Sequence, residues 1–133
     1  MVKDYHPTPD IREFERSWQA RAGGRAIVLT LSAIDYGTHT GAMFRARDKD
    51  GAEIVTVPFE AHWHQRGRYL VQAGPAKTGG DETLADAIAE LAGVHVTAAI
   101  TAAQARAKSR PDMFDGLEAW ADGALSTIAK ECM

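Results

Sequence analysis

"MFRARDKDGAEIVTVPF", residues 43–59, is the stretch from which the fold is read. Phe44 and Ala46 alternate with Met43, Arg45 and Arg47, as side chains do on the two faces of a strand. "DKDG" (48–51) follows as a tight turn, in which Gly51 is free to take a positive φ and Asp48 and Asp50 act as turn formers rather than metal carboxylates. "AEIVTVPFE" (52–60) is the next strand, and Pro58, which has no N–H, implies an end or an edge there. Arg45 and Arg47 stand two apart, so an extended backbone points both guanidiniums to one side and Phe44, a core residue, to the other.

Working outward, "RAIVLTLSAI" (25–34) is a nearly continuous, β-branched apolar run that reads as a strand buried on both faces. "DYGTHTG" (35–41) supplies the turn after it, completing a three-stranded meander over about residues 26–60. "HWHQRGRYLVQAG" (62–74) adds a short fourth strand at about 67–72, before the loop "PAKTGGD" (75–81).

Three helices are expected around these strands. In "IREFERSWQARAGG" (11–24), Ile11, Phe14, Trp18 and Ala22 recur at helical spacing, so a helix spans about 10–22, capped by Thr8 or Asp10 and ended by Gly23-Gly24. Residues 1–9 are expected to be flexible. Asp81 caps "ETLADAIAELAG" (82–93), with Leu84, Ile88 and Leu91 on one face and Gly93 closing the helix. Val94, Val96, Ala98 and Ile100 alternate and suggest a further strand over 94–101; residues 102–112 stay unassigned. "DMFDGLEAWADGALSTIAKEC" (112–132) sets Leu117, Trp120, Ala124 and Ile128 at helical spacing and reads as a terminal helix.

Length and composition fit a single domain over 1–133: the chain has 133 residues, 45% hydrophobic and 25% charged, enough to build one core. No stretch approaches the roughly 20 apolar residues of a membrane span, and the start "MVKDYHPTPD" lacks a signal peptide's apolar run, so no membrane is involved and the expected location is cytoplasmic. Cys132, the only cysteine, has no partner for a disulfide and, near the C-terminus, reads as a frayed, solvent-reachable thiol. The net charge of −3 hides an asymmetry, +2 over residues 1–80 and −5 over residues 81–133. This argues against a strongly electrostatic DNA binder and leaves room for a local basic groove.

Basic residues recur two apart at Arg45 and Arg47, at Arg66 and Arg68, and at Arg106, Lys108 and Arg110. On extended chain each set shares a face and could follow a phosphate backbone, with Tyr36, Trp63 and Tyr69 as stacking surfaces worth about 1–3 kcal/mol per base. The competing reading is an ordinary charged sheet face with the aromatics in the core.

The order of elements, strand, glycine-bearing loop, strand ending in "DKDG", strand, helix, strand, resembles the oligonucleotide/oligosaccharide-binding (OB) barrel. "AIVLTLSAIDYGTHTGAMFRARDKDGAEIVTVPF" followed by "LADAIAELAGVHVTAAI" is similar, more narrowly, to bacteriophage single-stranded-DNA-binding proteins over about residues 26–101. The resemblance implies binding through the second and third strands and adjoining loops, which maps onto Tyr36, His39, Phe44, Arg45 and Arg47.

"HWH" offers His62 and His64 on one strand face as two imidazoles for a metal, but no spacing identifies a third ligand among His39, His95, Asp35 and Glu60. "GTHTG" is no phosphate loop, and no serine lies in a nucleophile elbow, so no enzyme signature and no cofactor emerge. The expected protein is an α+β, OB-like antiparallel meander or barrel with N-terminal, middle and C-terminal helices. Its expected function is non-enzymatic binding of single-stranded DNA or RNA through Tyr36, His39, Arg45, Arg47, Trp63, Arg66, Arg68, Tyr69, Arg106 and Lys108. The alternatives are an interaction or inhibitor protein whose acidic part, including Asp81, Glu82, Asp86 and Glu90, meets a protein partner, and a small metal-dependent enzyme using His62 and His64. Self-association into a homo-oligomer is compatible with each.

Overall fold

Gly23 and Gly24 both hold positive φ angles, 59° and 78°, and form the two-residue turn of a long β-hairpin. The computed structural model describes residues 12–37, 39–63, 69–74, 76–78 and 82–132. The hairpin joins β1 (Arg12–Ala22) to β2 (Arg25–Asp35), paired along their whole length from Arg12↔Asp35 to Ala22↔Arg25. The helix expected over 10–22 is therefore a strand. Phe14, Trp18 and Ala22 lie four apart, a spacing that puts residues on one side of a helix and equally on one side of a strand. The ladder with β2 and the Gly-Gly turn decide between them, because type I′ geometry needs positive φ at both central positions. Ile11, Thr8 and Asp10 lie outside the described residues.

The meander then runs as expected through β3 (His39–Asp48) and β4 (Glu53–Trp63), giving four long antiparallel strands in the order β1-β2-β3-β4. Phe44 opposes Leu31 on one side and Val57 on the other, and all three are buried. The even residues of β2 are half-buried or, at Ala26, exposed, so this strand has one fully buried face rather than two.

The short strands β5 (Tyr69–Ala73), close to the expected fourth strand, and β6 (Lys77–Thr78) share the far edge of β4. β5 pairs with Phe59–Trp63 and β6 with Val55 and Thr56, leaving Pro58 at the gap between them. A missing N–H costs nothing at that gap, which is how a proline sits in mid-strand. Its carbonyl accepts the N–H of Gly74, and a Cβ on Gly74 would come within 2.7 Å of the Pro58 ring.

Two helices follow, α1 (Glu82–Arg106) and α2 (Arg110–Cys132), and both cover the same face of the sheet. α2 lies over β1 and β2, and α1 over β3, β4 and β5. Ile88, Ile100, Phe114, Leu117, Leu125 and Ile128 fill the space above Leu29, Leu31, Phe44 and Val55, all at most 1% exposed. The sheet is open, not a closed barrel: its inner face is covered by helices instead of by its own strands, and among the described residues the helices number two, not three.

α1 runs through Gly93, where an end was expected, and absorbs the strand expected over 94–101. Ala85, Ile88, Ala92, Val96, Ala99 and Ala103 are buried at spacings of three and four. Val94 is 58% exposed while Val96 is fully buried, and Ala98 is exposed while Ile100 is buried, so the alternation belongs to opposite sides of a helix. A helical glycine costs about 1 kcal/mol relative to alanine, less than the packing of this face returns.

The chain turns between the helices at Ser109, whose Oγ accepts the Asp112 N–H, while the Asp112 carboxylate accepts the Lys108 N–H. This is close to a capping box and starts α2 at Arg110. Further along, Gly116 packs against Ala103, where an added Cβ would lie 3.3 Å from the alanine methyl, so the helices approach closely.

Candidate functional site

The helices leave the other face of the sheet open, and register places its residues in rows across the strands. One row is Ser17, Thr30, Arg45 and Thr56, and the next is Gln19, Val28, Arg47 and Glu53. Arg45 and Arg47 thus share the open face, opposite Phe44, as their spacing implies. Arg47 is exposed and Arg45 half-buried, with its Nε 3.2 Å from the Met43 sulfur on the same face.

Charge pairing separates these arginines from those on the helix side. Arg12 pairs with Asp115, and Arg16 with Glu118 at 3.1 Å and Asp122 at 3.8 Å, which ties β1 to α2. Among the described residues, neither Arg45 nor Arg47 has a carboxylate within ion-pair distance. Glu53, the cross-strand neighbour of Arg47 beside the irregularity at Ala46/Arg47, instead accepts the Thr56 hydroxyl. The face is not uniformly basic, since Glu13, Glu15 and Glu60 are also exposed outer-face positions.

At the other end of β3, Tyr36 and His39 come together. Their rings stack with centroids 4.9 Å apart and planes 21° from parallel. The turn that brings them together is held by the Tyr36 N–H donating to the His39 carbonyl and by the Asp35 carboxylate accepting the Gly37 N–H. Tyr36, 52% exposed, lies over Gly41, whose missing side chain leaves the room: a Cβ there would come to 3.0 Å of the ring. From Gly41 to Arg45 is about 13 Å along the strand, at about 3.3 Å per residue.

The remaining expected site residues separate. Arg106 ends α1 on the helix side, with its guanidinium 5.5 Å from the Trp120 ring centroid, and Lys108 is in the connection to α2. With Arg110 the first residue of α2, that set is neither extended nor part of the sheet. Arg66, Arg68 and His64 lie outside the described residues. The backbones of Trp63 and Tyr69 pair across β4 and β5, and that of His62 pairs with His39.

Among the described residues, no group of three His, Cys, Asp or Glu side chains is placed to hold a metal ion. Asp48 and Asp50 build the turn, as expected: Asp48 Oδ1 accepts the N–H groups of Asp50 and Ala52, and Gly51 has φ of 88°. Cys132 is not frayed but forms the last residue of α2, partly buried against the core. Burial, and then the Glu131 carboxylate beside it, push its thiol pKa up, the wrong direction for a nucleophile.

The acidic residues after position 80 divide by use. Asp115, Glu118 and Asp122 hold the β1 arginines, and Glu131 lies 3.0 Å from His95. Glu82, Asp86 and Glu90 remain exposed on α1, four residues apart in sequence and therefore in one line along the helix. Asp81 lies outside the described residues.

Sequence reasoning did not anticipate a cleft of about 690 Å3 between the β1–β2 hairpin and the last turns of α2, lined in part by Trp18, Lys49 and Lys130. No local signal links residues more than a hundred positions apart. Comparison with protein families, with characterised proteins and with solved structures finds no match to this chain.

Proposed function

We propose that the chain is a non-enzymatic binding protein that takes single-stranded nucleic acid on the open face of its sheet. The observation carrying this reading is that Arg45 and Arg47 face outward together with no carboxylate partner among the described residues, whereas Arg12 and Arg16 are paired. Unpaired guanidiniums on an open face are available to phosphate oxygens, with which they form charge-assisted hydrogen bonds. Tyr36, exposed and already stacked on His39, supplies a flat surface for a base at the other end of the same strand. A locally positive line on a mildly acidic chain favours weak, salt-sensitive binding over tight duplex binding.

The test is titration of labelled single-stranded DNA, single-stranded RNA and duplex DNA at two salt concentrations, with the wild type and the Arg45→Ala/Arg47→Ala variant. Wild-type binding to a single strand should weaken with salt. The variant should bind less tightly, with its log–log salt slope shallower by about 0.7 per lost phosphate contact. Wild-type affinity and slope in the variant, or no single-strand binding at low salt, would refute the reading.

A second reading rests on the line of Glu82, Asp86 and Glu90. Like charges four apart destabilise a helix by about 0.2–0.5 kcal/mol per pair, and no ion pair offsets this among the described residues. A basic protein surface would relieve that repulsion. Reversing Asp86 and Glu90 should remove such a partner from a pull-down while leaving the thermal midpoint unchanged or slightly raised. An unchanged set of retained proteins counts against it.

A further inference from the structure

The cleft beside α2 has the size of a small-molecule site, about 690 Å3 within a usual range of roughly 300–1,000 Å3. It exists because the residues that meet there are short. Ala20, on the helix side of β1, meets only Ser126 and Ala129 of α2, and Trp18 on the same side of β1 stays 38% exposed. Trp18, Ala20, Ile27 and Ala129 give the cleft an apolar lining.

Its charge is of one sign. Lys49, from the β3–β4 turn, and Lys130, from the last turn of α2, both line the cleft and both are exposed. Among the described residues no Asp or Glu lines it, and neither lysine makes an ion pair. Asp48 and Asp50 border the adjoining hollow of about 470 Å3, and the Asp48 oxygen nearest the turn is held by the N–H groups of Asp50 and Ala52. Arg21, on the boundary of both hollows, donates to the Gly24 carbonyl at 2.9 Å.

We propose that this cleft binds a small amphipathic carboxylate, with its aliphatic body on Trp18, Ala20, Ile27 and Ala129 and its carboxylate at Lys49 and Lys130. The apolar lining favours hydrocarbon, and the two cations favour one anionic end. Among the described residues, Gln19, Ser126 and the Trp18 indole N–H supply the uncharged polar groups of the lining, too few to orient a sugar or a nucleobase. Lys130 also faces the negative end of the α2 dipole, so part of its charge is already offset. Lys49 should therefore contribute more to binding than Lys130.

The experiment is a tryptophan-fluorescence titration of the full chain with decanoate below its micellar concentration. Decanol, decyltrimethylammonium and deoxyadenosine monophosphate serve as comparison probes. Saturable decanoate binding should weaken about tenfold in Lys49→Gln/Lys130→Gln, with decanol binding unchanged, and Lys49→Gln alone should cost more than Lys130→Gln alone. Ala20→Leu, checked for an unchanged thermal midpoint, should abolish decanoate binding by filling the cleft; if it unfolds, the exposed lysine variants decide alone. The proposal is overturned by non-saturable decanoate binding, by equal binding of decyltrimethylammonium, by lysine variants indistinguishable from wild type, or by deoxyadenosine monophosphate binding more tightly than decanoate. Arg45 and Arg47 do not line the cleft, although Gln19 and Val28 of the Arg47 row do, and the lysine and Ala20 variants leave both arginines in place, so these outcomes are read separately from the single-strand titration.

Discussion

The ring of Tyr36 lies over Gly41, where a Cβ would come within 3.0 Å of ring carbon Cε2, and this fit holds Tyr36 against the open face beside His39. Gly41→Val should therefore displace the ring even though valine suits a strand better than glycine. The check is an NMR comparison of the His39 ring protons, which the stacked tyrosine shields. Their shifts should move towards the free-histidine position in Gly41→Val and equally in Tyr36→Ala. If single-strand binding uses this platform, both variants should lose affinity to the same extent, up to about 1–3 kcal/mol for one stacked base.

Phe44 and Arg45 are chain neighbours with opposite environments, so truncating them should separate stability from surface chemistry. Phe44 is fully buried between Leu31 and Val57, and Phe44→Ala should cost about 3–5 kcal/mol in urea unfolding. Arg45→Ala and Arg47→Ala should each stay within about 0.5 kcal/mol of wild type. A large loss in either arginine variant would mean that its aliphatic stem, not its charge, is what matters on that face.

These two positions also show why part of the architecture was legible in the sequence. Residues 43–59 carry a period of two, and the turn chemistry of Asp48, Asp50 and Gly51 fixes the register, so the meander and the facing of Arg45 follow from local rules. β1 was hidden because Phe14, Trp18 and Ala22 satisfy both periods; the Gly23-Gly24 pair, read as a hairpin turn rather than a helix end, was the signal that could have found it. In α1, Val94 to Ile100 mimic a strand because the short stretch samples two sides of a helix, and only the longer run from Ala85 to Ala103 resolves the period. Arg106 and Lys108 were grouped with the sheet on their spacing alone, in a stretch left unassigned. The stacking of Tyr36 on His39 depends on the exact geometry of the turn between them, and the gathering of Trp18 with Lys130 arises from tertiary packing; spacing along the chain encodes neither.

Helix packing gives a prediction that is independent of any ligand. Gly116 sets the approach of α2 to Ala103 of α1, and a Cβ there would already be 3.3 Å from the alanine methyl. Gly116→Ala trades a tight contact against about 1 kcal/mol of helix propensity and should change stability little. Gly116→Leu exceeds that tolerance and should destabilise by about 1–3 kcal/mol, because overpacking forces the helices apart. Chemical denaturation of both variants checks this, and a neutral leucine would show that the helix pair is not closely fitted.

Cys132 gives the chain one pH dependence with a defined sign. Its thiol is raised above the ordinary value of 9.0, first by burial at the end of α2 and then by the neighbouring Glu131 carboxylate. A raised pKa means that folding favours the protonated thiol, so this contribution is fully present below the unfolded pKa near 9.0 and is lost as pH rises through the higher folded value. Stability should therefore fall above about pH 9 by more in the wild type than in Cys132→Ser, whose hydroxyl does not titrate there. Alkylation by iodoacetamide at pH 8 should likewise be slower in the folded chain than in urea, since only the thiolate reacts. A folded-state rate equal to that of the unfolded chain would show that the last turn of α2 opens freely and that the thiol is not held in its partly buried position.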